Sequence, residues 1–442
     1  MKRRLALILV SLLLAPVPVG AAVFNPESFQ LANGLQVVVI QNRRAPIVTH
    51  MVWYKVGDAD APDGQSGMPH LLEHLMFKGT KNLQPGQFSK IVARNGGRDN
   101  AFTGSDFTAY YQNVSADRLE LVMKMESDRM ANLTLDPKLI ETERQVVLEE
   151  RRTRTDNEPA SRLREKMGPE QFAVHPYRNP VIGWERDIKA ITPKDLKAFY
   201  QRWYAPNNAI LIVAGDVTAQ QVLGLAETYY APIPASPLPK RERAVEPPPT
   251  GPKTVELRDK SVKQPLWLRE YRAPSRRLDP ERQSYALEVL ETILAGGATS
   301  RFYESLVVRQ KLAASAGASY SADRYDYSEF GFYASPNPGI PMARLEEAME
   351  AEIARLIDGG VSEQEVARAK TRLIDAAVYA RDSLSGGAYA LGRALGTGQS
   401  INQVENWPER IAEVTADQVN AALRAVLTPK AAVTGRLLGE GM

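Results

Sequence analysis

His70-Leu71-Leu72-Glu73-His74 is the stretch that decides how the rest of this chain is read. Two histidines at i and i+4 lie one above the other on a single helical face. Both imidazoles can then hold one metal ion, and the Glu73 carboxylate lies on the same side. This is the zinc-hydrolase constellation in inverted order, H-x-x-E-H rather than H-E-x-x-H. The chain has only four histidines (His50, His70, His74 and His175), and half of them are here. The competing reading is an amphipathic helix whose histidines are merely packed.

A catalytic zinc takes three protein ligands and keeps a fourth position for water. His50 falls in a strand pattern and His175 in a His-Pro-Tyr loop, so the third ligand is sought among carboxylates. The strongest region is Glu141 to Glu150, where Glu143, Val146, Val147 and Glu150 share one face by the i, i+3, i+4, i+7 rule. Carboxylates on the apolar side of a helix need a metal or a proton donor, because unpaired burial costs several kcal/mol. Glu149 is rotated about 100° away and, with Glu141, reads as solvated.

The 442 residues, 44% hydrophobic and 24% charged, suit ordinary globular protein in two or three domains. A net charge of +3 is too balanced to argue for nucleic acid or an anionic membrane as partner. Residues 1–22 read as a cleaved signal peptide: Lys2-Arg3-Arg4, an apolar run from Leu5 to Leu14, then small residues through Ala22. That run is about half of the ~20 residues needed to span a bilayer. With no cysteine anywhere, disulfides and thiolate zinc ligands are excluded. The expected destination is a bacterial periplasm.

Proline-rich chain between Ala231 and Lys253, with Lys240-Arg241-Glu242-Arg243, reads as a stiff, exposed linker. Its core at 236–252 separates a zinc-bearing domain at 23–235 from a similar, metal-free domain at 253–442. The halves echo each other. Thr192-Pro193-Lys194-Asp195 and Thr415-Ala416-Asp417-Gln418 each open a helix before an apolar strand. The stretch from His70 to Gly79 also lies over Glu288 to Gly297, with Glu288 and Thr292 where the histidines were. A hairpin about Asn33-Gly34, strands at Ile47–Val56 and Ala101–Val114, and helices at Ala116–Met130 and Pro137–Thr155 follow from periodicity. The expected fold class is α+β: two similar domains, each a largely antiparallel sheet packed with helices.

His70-Leu-Leu-Glu-His-Leu-Met-Phe-Lys-Gly-Thr80, Asn100-Ala101-Phe102-Thr103 and the Glu143…Glu150 pair together resemble the pitrilysin/insulysin and mitochondrial processing peptidase family of zinc peptidases. The resemblance covers essentially the whole mature chain. It implies one zinc ion per chain held by His70, His74 and Glu150, with Glu73 as general base and Glu143 supporting from behind a ligand. It also implies that Asn100, Ala101 and Phe102 lie on an edge strand to which an extended peptide adds. Protons should compete with zinc below about pH 6.5.

One departure stands out. Relatives often carry, in the far half, an arginine and, seven residues on, a tyrosine that help hold substrate and oxyanion, whereas Val307 and Ala314 occupy those positions here. The expectation is therefore a heterodimer, in which a related zinc-free subunit supplies the missing pair, with a homodimer the lesser reading. A non-catalytic scaffold on the same fold is the alternative function. It fits less well because His70, Glu73, His74 and Glu150 are all present. A hydrolase of non-peptide substrates rests on the pentad alone.

Overall fold

The structure is a computed structural model and describes residues 23–279 and 281–441. The expected signal peptide therefore lies outside the described residues. Eleven strands form two sheets among them. The first contains β1 (Glu27–Gln30), β2 (Gln36–Gln41), β3 (Ile47–Tyr54), β4 (Arg98–Thr103), β5 (Thr108–Ser115) and β6 (Ala209–Gly215), in the order β1-β2-β6-β3-β5-β4. The second contains β7 (Lys253–Arg258), β8 (Leu266–Pro274), β9 (Ala313–Tyr320), β10 (Tyr327–Pro336) and β11 (Val433–Leu438), in the order β7-β11-β8-β10-β9. Each has one parallel pair, β2 with β6 and β7 with β11; the other pairs are antiparallel.

Laid over each other, β2, β6, β3, β5 and β4 become β7, β11, β8, β10 and β9, and only β1 lacks a counterpart. The sequence echoes mark equivalent places. Thr192 with Asp195 and Thr415 with Gln418 form capping boxes on the helices Pro193–Trp203 and Ala416–Val426, each leading to the strand inserted beside the first. Helix Met68–Leu75 follows β3 as helix Gln283–Ala295 follows β8. On that second helix stands Glu288, the residue that the sequence echo sets against His70. Its carboxylate accepts from Arg276 (2.5 Å) and from Trp407 Nε1 (2.8 Å), so its polar demand is met inside the protein.

The halves also exchange helices. Pro159–Gln171 from the first half packs on β7, β11 and β8, where Leu163 and Met167 join Leu268, Val433 and Leu437. Gly386–Gly396 from the second half packs on β6 and β3, where Ala388, Leu391 and Leu395 meet Val38, Met51, Trp53 and Ile212. Each sheet thus has one face covered largely by its own half and the other covered by its neighbour's helix.

Two expectations need correction. Ala101–Val114 is not one strand: Gly104-Ser105-Asp106-Phe107 turns the chain between β4 and β5, closed by Gly104 N–H to Phe107 O at 2.8 Å. The chain from Lys240 to Glu246 is not an exposed spacer either. Extended backbone alternates its side chains, so Lys240 and Glu242 face solvent while Arg241 and Arg243 turn inward. The Arg243 guanidinium meets Asp60 (3.0 Å) and Asp106 (2.6 Å) of the first half and Asp326 (2.9 Å) of the second. Glu246 accepts three backbone N–H groups, from Ala173, Val174 and His175. Buried aspartates require a cation, and the segment between the halves carries it. No helix among the described residues is long and apolar enough to cross a membrane.

Candidate metal centre

The pentad helix starts at a left-handed glycine. Gly67 (φ 82°) is its N-cap, and a Cβ there would lie 2.5 Å from the Ile182 carbonyl oxygen, so only glycine lets the two backbones approach. The Asp58 carboxylate accepts the Gly67 N–H at 2.6 Å. Met68, Leu71, Leu72 and Leu75 are buried in the first core, and helical periodicity then turns His70 and His74 to the opposite side. The acid-bearing helix is Pro137–Arg151, capped by Asp136 and packed on the pentad helix.

These two helices bring the expected residues together. Glu150 Oε2 lies 3.2 Å from His74 Nε2 and 3.9 Å from His70 Nε2, and one ligand atom from each of the three lies within 4.8 Å of the others. Ligands about 2.0–2.1 Å from a tetrahedral zinc stand roughly 3.3 Å apart, so the His74–Glu150 pair already has that spacing and the widest pair must close by up to about 1.5 Å to hold an ion. Two imidazoles and one carboxylate are also a donor set for a hydrolytic zinc with an open position.

Glu143 stands behind His74: it accepts from Nδ1 at 3.0 Å and pairs with Lys78 at 2.6 Å. A proton held on Nδ1 leaves the Nε2 lone pair toward the site. Glu73 is buried, and its Oε2 accepts from the Thr103 hydroxyl at 2.5 Å. Asn100, Ala101, Phe102 and Thr103 belong to β4, the outer strand of its sheet. These residues, with His70, Glu73, His74, Glu150, Arg154, Thr155, Val181 and Ile182, line a cleft of about 540 Å³.

Burial drives His70 down to about 3, helped by the nearby His74 and Arg154 charges. His74 moves the other way: burial pulls it down, but the Glu143 hydrogen bond and the carboxylates of Glu73 and Glu150 outweigh that and raise it. Burial raises Glu73, moderated by Thr103. Burial also pushes Glu143 upward, yet its bonds to His74 and Lys78 hold it below the usual carboxylate range.

If these two rings hold the ion, then below the raised value of His74 a metal must displace a proton from that ring, while burial keeps His70 neutral there. Apparent zinc affinity should therefore fall with a slope of about one proton, roughly tenfold per pH unit, with onset above 6.5. Competition with a chelating dye from pH 8 to 5.5 measures it. A flat profile, or a slope of two protons, would contradict these histidine environments.

The remaining sequence expectations divide. Glu141 and Glu149 are largely exposed and paired with Arg144 and Arg152. His50 is buried between Gln112 and Tyr230, and His175 beside Asp326; neither reaches the cleft. Val146 is 46% exposed, so the inward stripe is narrower than expected and holds Glu143, Val147 and Glu150. Val307 packs at the edge of the second core, and Ala314 lies on β9, the second-sheet counterpart of β4. Sequence reasoning missed Lys78 and Arg154: Arg154 stands four residues after Glu150, the spacing at which helical side chains meet, whereas Lys78 lies beyond the end of the pentad helix and reaches Glu143 on the other helix.

Residues 36–184 match the family described as Insulinase (Peptidase family M16), and residues 190–373 match the Peptidase M16 inactive domain. The chain is similar to the zinc protease PqqE of Helicobacter pylori, 34% identical over 377 residues that cover 84% of this chain and 83% of that protein. It is also similar to an uncharacterized zinc protease of Mycobacterium leprae, 30% identical over 414 residues covering 92% and 90%. Among solved structures, a protease from Helicobacter pylori superposes with a TM-score of 0.87 at 29% identity, covering 95% of this chain and all (100%) of that one. The periplasmic protease PqqL from Escherichia coli shares the fold at 22% identity and a TM-score of 0.81, covering 93% of this chain and 47% of that one.

Proposed function

This chain belongs to peptidase family M16, the insulinase family, and from that premise we propose an exported zinc endopeptidase that cuts extended or unfolded peptides. Its family and its relatives make it a zinc protease. The observation that carries the finer reading is the convergence of His70 Nε2, His74 Nε2 and Glu150 Oε2 beside a free sheet edge, with Glu73 in the same cleft.

In this reading His70, His74 and Glu150 hold one zinc ion, which supplies Lewis acidity for a carbonyl and for water when bound. Glu73 takes the proton of the attacking water and passes it to the leaving amine. Glu143 keeps His74 in the right tautomer. Asn100, Ala101 and Phe102 offer backbone groups to an extended substrate, which is why folded proteins are poor ones. Export rests on the composition of residues 1–22.

Val307 and Ala314 cannot donate to an oxyanion, a contribution of about 3 kcal/mol or more elsewhere. A related zinc-free subunit bringing arginine and tyrosine completes the site in this reading. The chain from residue 23 onward, purified alone, should contain about one zinc and cleave an unstructured peptide slowly, but leave its folded parent and simple esters intact. Adding such a subunit should raise the rate. Full activity from a monomer would remove the partner, and absence of zinc would remove the ligand set.

A further inference from the structure

Beyond His70, Glu73, His74 and Glu150, the cleft has one further charged side chain among the described residues, Arg154. It sits in the π-helical turn Arg152–Asp156 that ends the acid-bearing helix. The neighbouring arginines are committed elsewhere. Arg151 is buried against Glu165 and the Gly183 carbonyl oxygen, and Arg152 pairs with Glu149 on the solvent side. Arg154 Nη1 pairs with Glu150 Oε1, the oxygen turned away from the histidines, yet the side chain remains 73% exposed. A guanidinium has five donors in a planar fork, and one carboxylate oxygen leaves most of them open to the cleft.

We propose that Arg154 is a substrate-recognition residue that favours an acidic side chain close to the scissile bond. The inference rests on the peptidase reading above and names a substrate class for the same site. An extended peptide on β4 presents alternate side chains to the cleft. There they meet two apolar walls, Val181 and Ile182, and one cation. The carboxylates of the cleft are already engaged: Glu73 with Thr103, and Glu150 with the histidines and Arg154 itself. A basic substrate side chain would face Arg154 and a zinc ion. An acidic one would gain charge-assisted hydrogen bonds from the open fork.

The test measures peptide affinity in a zinc-loaded Glu73→Gln background, where binding is read without turnover. Three peptides differ only in Glu, Gln or Lys at each position flanking the bond that the unmodified chain cleaves. The Glu peptide should bind roughly tenfold more tightly than the Gln peptide at low salt, and less so at high salt. Arg154→Gln should bring that ratio near one, and Arg154→Glu should reverse the order in favour of Lys. Because the ratio compares peptides on one protein, any loss of zinc affinity cancels. Zinc content is measured alongside. An unchanged ratio with falling zinc content would make Arg154 only a holder of Glu150 and overturn the proposal. Cleavage without charge preference overturns the proposal alone, whereas failure to cleave any peptide overturns the peptidase reading with it.

Discussion

Glu73→Gln is expected to lower peptide hydrolysis by about 10²–10⁴-fold while zinc content stays at one per chain. The substitution keeps shape and hydrogen-bonding reach. The Thr103 hydroxyl that donates to Glu73 Oε2 at 2.5 Å can donate to the amide oxygen instead. What disappears is a site that can accept a proton. Glu73 lies on the pentad helix among buried residues, so its position is fixed by packing that the amide leaves intact.

The contrast with the ligands makes the result diagnostic. Loss of the Glu150 carboxylate would remove one of the three proposed donors and should release the metal, so activity and zinc should fall together. Loss of the Glu73 carboxylate should separate them. Metal analysis of the dialysed protein and kcat/KM on an unstructured peptide are sufficient. Activity retained within tenfold, or zinc lost with the amide, would remove Glu73 from the role of base.

Local features of this architecture are plain in the sequence because local rules govern them. The pentad needs only i,i+4 spacing, and the two capping boxes need only a side chain and the N–H three residues on. The inward stripe with Glu143, Val147 and Glu150 follows from helical rotation, although Val146 falls outside it. It is one residue, about 100°, from Val147, which carries the packing. Gly104-Ser105-Asp106 carries turn residues between β4 and β5, but Phe102 and Phe107 on either side make the stretch read as a single strand.

What was not legible is non-local. Arg243 meets carboxylates 83 to 183 residues away, and no spacing rule links a linker arginine to them. Nothing in Pro159–Gln171 or Gly386–Gly396 states which sheet either helix covers, since both sheets offer an apolar face. Arg154 is a mixed case: its pairing with Glu150 is readable from the i,i+4 spacing, but that its remaining donors line the cleft is visible only in the structure.

The helix exchange has a severe expected consequence at Gly392. This residue lies inside helix Gly386–Gly396, where glycine is usually unfavourable by roughly 0.5–1 kcal/mol relative to alanine. Its retention is explained by contact: a Cβ would lie 2.0 Å from Trp53 Cε2 and 2.2 Å from Nε1. Trp53 cannot yield easily. It is fully buried on β3 and held edge-on by Phe102 (5.2 Å) and Phe107 (5.1 Å). Gly392→Val should therefore destabilise the chain by about 3 kcal/mol or more, at or beyond the upper end for overpacking. Movement of Trp53 would also push Phe102 on β4, so any folded fraction should lose peptide binding as well. Gly224→Ala is the matched control, a helical glycine with nothing within 4 Å of its Cβ, and it should gain about 0.5–1 kcal/mol. Urea midpoints for both variants decide the matter. Equal midpoints for Gly392→Val and the parent would mean that this helix does not rest on the first sheet, and the reciprocal packing of the two halves would have to be abandoned.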